Sequence, residues 1–212
     1  MKLPILYSFR RCPYAMRARM ALILASKQCE LREILLNNKP SEMLKISSKG
    51  TVPVLQLPND VIDESLDIIS WAMGSRSPNV HNYTETEKLI SAETIELFDS
   101  KFKYHLDRYK YSSRYNSDSG DHQEECKLIL ENLEAQINPS PWIFGKQISL
   151  LDISILPFIR QYKIANPDWF FAQNFKKIIA LLGYFENSDL FSQAMQKFDL
   201  WDPNNPNGSI FP

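Results

Sequence analysis

The chain has 212 residues, of which 44% are hydrophobic and 12% aromatic, enough for one large globular domain or two small ones with a real core. Lys and Arg number 24 and Asp and Glu 25, and the net charge of −1 removes the electrostatic case for nucleic acid or an anionic membrane as partner, leaving small molecules or proteins. No apolar run reaches the roughly 18 residues that span a bilayer, and the start shows no secretory pattern, so a cytoplasmic protein is expected.

Residues 3–9 are short and apolar and predict a buried strand, with Pro4 tolerable near its start. From Pro13 to about residue 26, Tyr14, Ala18, Ala21, Leu22 and Ala25 recur at helical spacing. Arg17 and Arg19 fall outside that stripe and are expected on a solvated face. Cys12 lies where the strand hands over to the helix. Pro13 suits a first helical position, which puts Cys12 at the N-cap, where the N–H groups of the first turn and the macrodipole favour a thiolate. Arg10 and Arg11 add positive potential beside it. The bland alternative is that Cys12 is a small buried hydrophobe, as most cysteines outside disulfides are. The other cysteines, Cys29 and Cys126, are too few and too far apart for a disulfide framework and are expected in the core. His81, His105 and His122 are equally dispersed and show no metal-ligand spacing.

Residues 30–36 predict a second strand, and Pro40 opens a short helix through Met43 and Ile46 that ends by Gly50. Residues 52–57 are β-branched and aliphatic, yet they contain Pro53, which a central strand should not hold. A strand entrance with a cis bond accounts for it. Pro58-Asn59-Asp60 predicts a turn, and Val61-Ile62 completes a hairpin. Glu64-Ser65 stands before a helix carrying Leu66, Ile69 and Met73, which Gly74 stops. Residues 1–74 thus read as one small α/β unit.

Residues 75–83 are polar, contain a proline and lack periodicity, which predicts a linker. Residues 84–212 predict an all-helical domain. Thr84 with Glu87, Asp121 with Glu124, and Ser149 with Asp152 each have the N-cap spacing of a helix start. Cys126, Ile129, Leu130, Leu133 and Ile137 share one stripe, residues 112–121 read as a loop, and an apolar central helix runs through Ile153, Leu156 and Phe158. Two more helices are expected at about 173–186 and 189–197, then a Pro/Asn/Gly tail, with no strand after Ile62.

An α/β unit followed by a helical domain resembles the cytosolic glutathione transferase superfamily. Cys12-Pro13-Tyr14-Ala15 is most similar to its cysteine-type members: omega-class transferases, dehydroascorbate reductases and transferase-like glutaredoxins. The resemblance implies a thioredoxin-like N-terminal domain, glutathione as cofactor and reductant, a homodimer, and Cys12 as the catalytic residue. It implies that the Val52 backbone, beside a cis-Pro53, pairs with the cysteinyl part of glutathione. Glu64 and Ser65 would hold the γ-glutamyl end at a helix N-terminus, and Lys39 would lie near the glycyl carboxylate. Residues 145–152 are similar to the capping box and staple of the helical domain. Ala15 replaces the second thiol of a two-cysteine redox motif, so only a one-thiol route through Cys12 remains.

That route is thiol-disulfide exchange. Conjugation of glutathione to an electrophile and a non-enzymatic binding role on the same fold are the alternatives. Tyr7, on the first strand, is expected to pack rather than to activate a thiol. Tyr104, Tyr109, Tyr111, Trp169, Phe170 and Phe171 are either core or the lining of a second-substrate pocket.

Overall fold

The computed structural model describes residues 2–74, 80–204 and 208–212; residues 75–79, most of the expected linker, lie outside them. Two compact units emerge, one formed by Met1–Asn79 with Ser188–Pro212 and the other by Val80–Asn187.

The first unit begins with β1 (Ile5–Ser8), α1 (Pro13–Leu24), β2 (Cys29–Glu33), α2 (Ser41–Ile46), β3 (Val54–Gln56), β4 (Val61–Ile62) and α3 (Ser65–Met73). β1 is buried along its whole length and pairs parallel to β2 and antiparallel to β3, the arrangement of a thioredoxin-like sheet. The β3–β4 pair is the predicted hairpin. In β2 every second residue, Cys29, Leu31 and Glu33, is buried, as strand alternation requires when one face meets the core. That alternation carries the charge of Glu33 inward, where it must be paired.

The second unit holds the predicted helices with revised limits. α4 (Glu85–Leu97) starts at Thr84, whose hydroxyl and Glu87 form a full capping box. A π-helical turn (Phe98–Phe102) follows, with Phe98 and Phe102 stacked at 4.5 Å, and leads into α5 (Lys103–Lys110). Residues 112–121 are not a plain loop: α6 (Ser112–Tyr115) forms there, and α7 (Ser119–Gln136) begins with Asp118 as its cap, three residues before the expected Asp121. Asp118 Oδ1 accepts from the Gly120 N–H at 2.7 Å. α7 buries Cys126, Ile129, Leu130 and Leu133 as its stripe predicts. α8 (Leu150–Ala165) is the apolar central helix, and Ser149 and Asp152 cap it as expected. α9 (Pro167–Phe171) and α10 (Lys176–Glu186) complete the unit. His105 and His122, remote in sequence, meet here with their Nδ1 atoms 2.8 Å apart.

The C-terminal segment corrects two expectations. α11 (Asp189–Ala194) packs on α1, and β5 (Ser209–Phe211) pairs antiparallel with β2, completing the order β4-β3-β1-β2-β5. A strand does follow Ile62, and the helical unit is residues 80–187 rather than 84–212. Three residues are too few to show a period of two, so the pairing had no sequence signal. Gly208 permits the close approach: a Cβ there would lie 2.6 Å from the Leu31 carbonyl oxygen.

Candidate active site

Cys12 is the N-cap of α1, extended in backbone conformation, with Pro13 opening the helix. Its N–H donates to the Phe9 carbonyl at 2.9 Å, closing a tight turn after β1, and its own carbonyl accepts the first helical bond from Met16. The side chain is part-buried and packs on a cluster that includes Tyr7, Ala15, Ile34, Val52 and Val54.

Val52 and Pro53 reach this place through sheet register. β3 runs antiparallel to β1 with Tyr7 opposite Val54, so the chain entering β3 stands beside the chain leaving β1. The Val52-Pro53 bond is cis, both residues are buried, and the Cys12 thiol donates to the Val52 carbonyl oxygen at 3.7 Å. Lys39 is half-buried before α2, and its Nζ would lie 3.9 Å from a Cβ on Gly50, two residues ahead of Val52. Gly50 has φ +59, a conformation side chains disfavour, so glycine suits the turn there.

Glu64 and Ser65 sit at the N-terminus of α3, Glu64 exposed as the N-cap and Ser65 buried in the first turn. Lys49 reaches both Glu64, at 2.5 Å, and Asp63, at 3.0 Å. The Ser47 hydroxyl and the Lys49 ammonium hold the Asp63 carboxyl below the usual carboxylate range. No motif flagged Lys49, Ser47 or Asp63, because the segments after α2 and between β4 and α3 carry no periodic signal.

Arg17 and Arg19 are fully buried, which corrects the solvated-face expectation. Residues two apart on a helix point roughly 200° apart, and α1 is covered on both sides, by α3 and by α11. Arg17 therefore turns to α3, where Nη1 donates to Ser65 Oγ at 3.2 Å, linking the starts of the two helices. Arg19 turns to α11 and pairs with Glu33.

Tyr7 is buried, and its hydroxyl accepts from Arg32 Nη1 at 2.8 Å. Burial pushes its phenol up, against the partly compensating Arg32, so it is a packing residue rather than an ionised activator. Cys29 and Cys126 are core thiols, and burial pushes Cys29 up to about 12. Of the aromatic set, Phe170 is buried, while Tyr104, Tyr111 and Phe171 are exposed.

The fold and site define a thioredoxin-like protein with one cysteine at a helix start beside a cis-proline loop. Residues 6–79 match the model of the glutathione S-transferase N-terminal domain. Over 157 residues the chain is 27% identical to glutathione S-transferase DHAR3, chloroplastic, of Arabidopsis thaliana. That match takes in 73% of this chain and 56% of the relative, so the chain spans little more than half of that protein's length. The same fold occurs in the Tau class glutathione S-transferase of mango, Mangifera indica, with TM-score 0.77 and 21% identity over 92% of this chain and 93% of that one. It occurs also in a glutathione transferase family member from Pseudomonas fluorescens with two glutathione bound, with TM-score 0.76 and 17% identity over 92% of each chain. The likeness to the glutathione S-transferase N-terminal domain is thus carried by residues 6–79, on a fold the chain shares with these solved structures. Among the described residues no helix is long and apolar enough to cross a membrane.

Proposed function

We propose that the protein is a glutathione-dependent thiol transferase of the cysteine type, working by thiol-disulfide exchange through Cys12. The observation that supports this most directly is the placement of the thiol at the N-cap of α1, half-exposed and in contact with the carbonyl of the cis-proline loop. A helix N-terminus favours a thiolate. Ala15, one turn in, supplies no second thiol.

In this reading the Cys12 thiolate attacks the glutathione sulfur of a glutathionylated thiol. A Cys12–glutathione disulfide forms, the substrate sulfur leaves as a thiolate, and it takes a proton from water. A second glutathione thiolate then attacks that disulfide, releasing Cys12 and oxidised glutathione. Val52 and Pro53 offer the edge along which the cysteinyl backbone of glutathione lies. The first-turn N–H groups of α3 at Ser65 take the γ-glutamyl carboxylate, and the Glu64 carboxylate takes its ammonium. Lys39 faces the glycyl carboxylate. The protein works as a cytoplasmic homodimer on the same reading; light scattering and imaging of tagged protein check those two points.

The test is reduction of a glutathionylated peptide by glutathione, with intact-mass spectra of the protein. Cys12→Ser should abolish both turnover and the adduct of one glutathione. Full turnover in that variant overturns the reading. Activity only toward an aromatic halide, with none toward the mixed disulfide, moves the assignment to conjugation.

A further inference from the structure

Glu33 and Arg19 form a deeply buried ion pair, with side-chain exposures of 9% and 0%, and the reaction outlined above does not use them directly. Each does two things at once. One carboxylate oxygen of Glu33 accepts the backbone N–H of Arg10 at 2.7 Å, and the other takes the Arg19 guanidinium. Arg10 is the second residue of the turn whose closing bond runs from Cys12 N–H to the Phe9 carbonyl, so this carboxylate holds the turn that presents the thiol. Arg19 in turn donates Nε to Ser8 Oγ at 2.9 Å, at the end of β1, and Nη1 to the carbonyls of Ala194 and Gln196 at 3.1 and 3.3 Å. Those carbonyls lie at the end of α11. Arg10 adds a weaker bond from Nη1 to the Met195 carbonyl at 3.4 Å, and the Trp201 N–H donates to the Glu33 carbonyl at 2.8 Å. The Phe198 and Phe211 rings flank the Arg19 guanidinium at 5.7 and 5.8 Å.

The start of the Cys12 turn is thus tied to one carboxylate, directly at the Arg10 N–H and through Arg19 at Ser8, and Arg19 ties that carboxylate to Ala194, 175 residues further along the chain from Arg19. A buried charge pair of this kind contributes little net stability against an apolar replacement, which leaves orientation as its distinctive effect. We propose that Glu33 is a positioning residue for the Cys12 thiol, held in register by Arg19 and by the C-terminal segment 194–201. This rests on Cys12 being the reacting group. The consequence is that the geometry of the thiol depends on the C-terminal return of the chain as well as on its own helix.

The test combines three variants with two measurements. Glu33→Ala removes both acceptors, and Glu33→Gln keeps an acceptor for the Arg10 N–H. Glu33→Leu with Arg19→Met removes the pair together, so no lone charge is left buried if the single variant fails to fold. The first measurement is the rate of alkylation of Cys12 against pH, located by mass spectrometry; it needs no turnover and so stands even if the transferase reading fails. The second is kcat and KM for glutathione in mixed-disulfide reduction. In Glu33→Ala and the double variant, the alkylation profile should move to higher pH and kcat should fall about tenfold or more with KM for glutathione little changed. Glu33→Gln should recover most of both. Folded Glu33→Ala or double variant with an unmoved alkylation profile overturns the proposal, as does a Gln variant no better than Ala. A purely structural role would lower the melting temperature without moving the profile.

Discussion

The Cys12 sulfur and the Val52 carbonyl oxygen, 40 residues apart in sequence, lie 3.7 Å apart in space. A thiol donates to that carbonyl, whereas a thiolate is repelled by it, so ionisation of Cys12 turns an attraction into a repulsion. Under the proposed exchange reaction, this repulsion frees the Val52 carbonyl to face a peptide backbone. Cys12→Ser keeps a donor for Val52 and should fold like the parent. It should lose at least about a hundredfold in mixed-disulfide turnover, because a hydroxyl does not replace a thiolate in exchange. Matched melting curves beside the kinetic loss check that the effect is chemical.

Arg17 is buried and joins α1 to α3 through Ser65. Replacing it with Met keeps most of the volume and removes the hydrogen bond, so urea unfolding should show a loss on the order of 1–3 kcal/mol. The KM for glutathione should rise severalfold because the start of α3 is less firmly held, and kcat should change less. An unchanged KM in a folded variant would separate Arg17 from the binding of glutathione.

Glu64 is exposed and pairs with the exposed Lys49. Such pairs carry little stability, so Glu64→Gln should melt as the parent does. The expected change is in binding, a rise of about tenfold in the glutathione Kd by calorimetry, since one charge-assisted contact to the ligand ammonium is lost. Equal affinity in the variant removes Glu64 from the site.

Asp152 accepts from the Ser149 N–H at 2.8 Å and the Ile143 N–H at 3.1 Å, yet burial outweighs these bonds and pushes its carboxyl up to about 6. The folded chain therefore binds this proton more tightly than the unfolded one, whose carboxyl titrates near 3.8. The stability it contributes is fully present below pH 3.8 and is lost as pH rises through 6. Other carboxyls contribute with the opposite sign, so the comparison is with Asp152→Asn. The difference in unfolding free energy between parent and variant should shift by up to about 3 kcal/mol across that window, always toward a weaker parent at higher pH. A pH-independent difference would show that Asp152 keeps its ordinary affinity for the proton.

Sequence patterning by itself located the local features. A proline after Cys12 marked a helix start, a proline inside a β-branched run marked the cis loop, and N-cap spacing marked the starts at Thr84 and Ser149. These signals are legible because they depend on neighbours within a turn or a strand. The burial of Arg17 and Arg19, the pairing of Arg19 with Glu33, the place of Lys49 beside Glu64, and the fifth strand were decided only by tertiary structure. In each case the deciding partner comes from a distant part of the chain. An arginine reads as a surface residue until an acceptor and a second helix arrive to cover it. Three residues of strand read as tail until β2 offers an open edge. The place of Cys12 at a helix start was in the sequence, and the partner of the turn before it, Glu33, was in the fold.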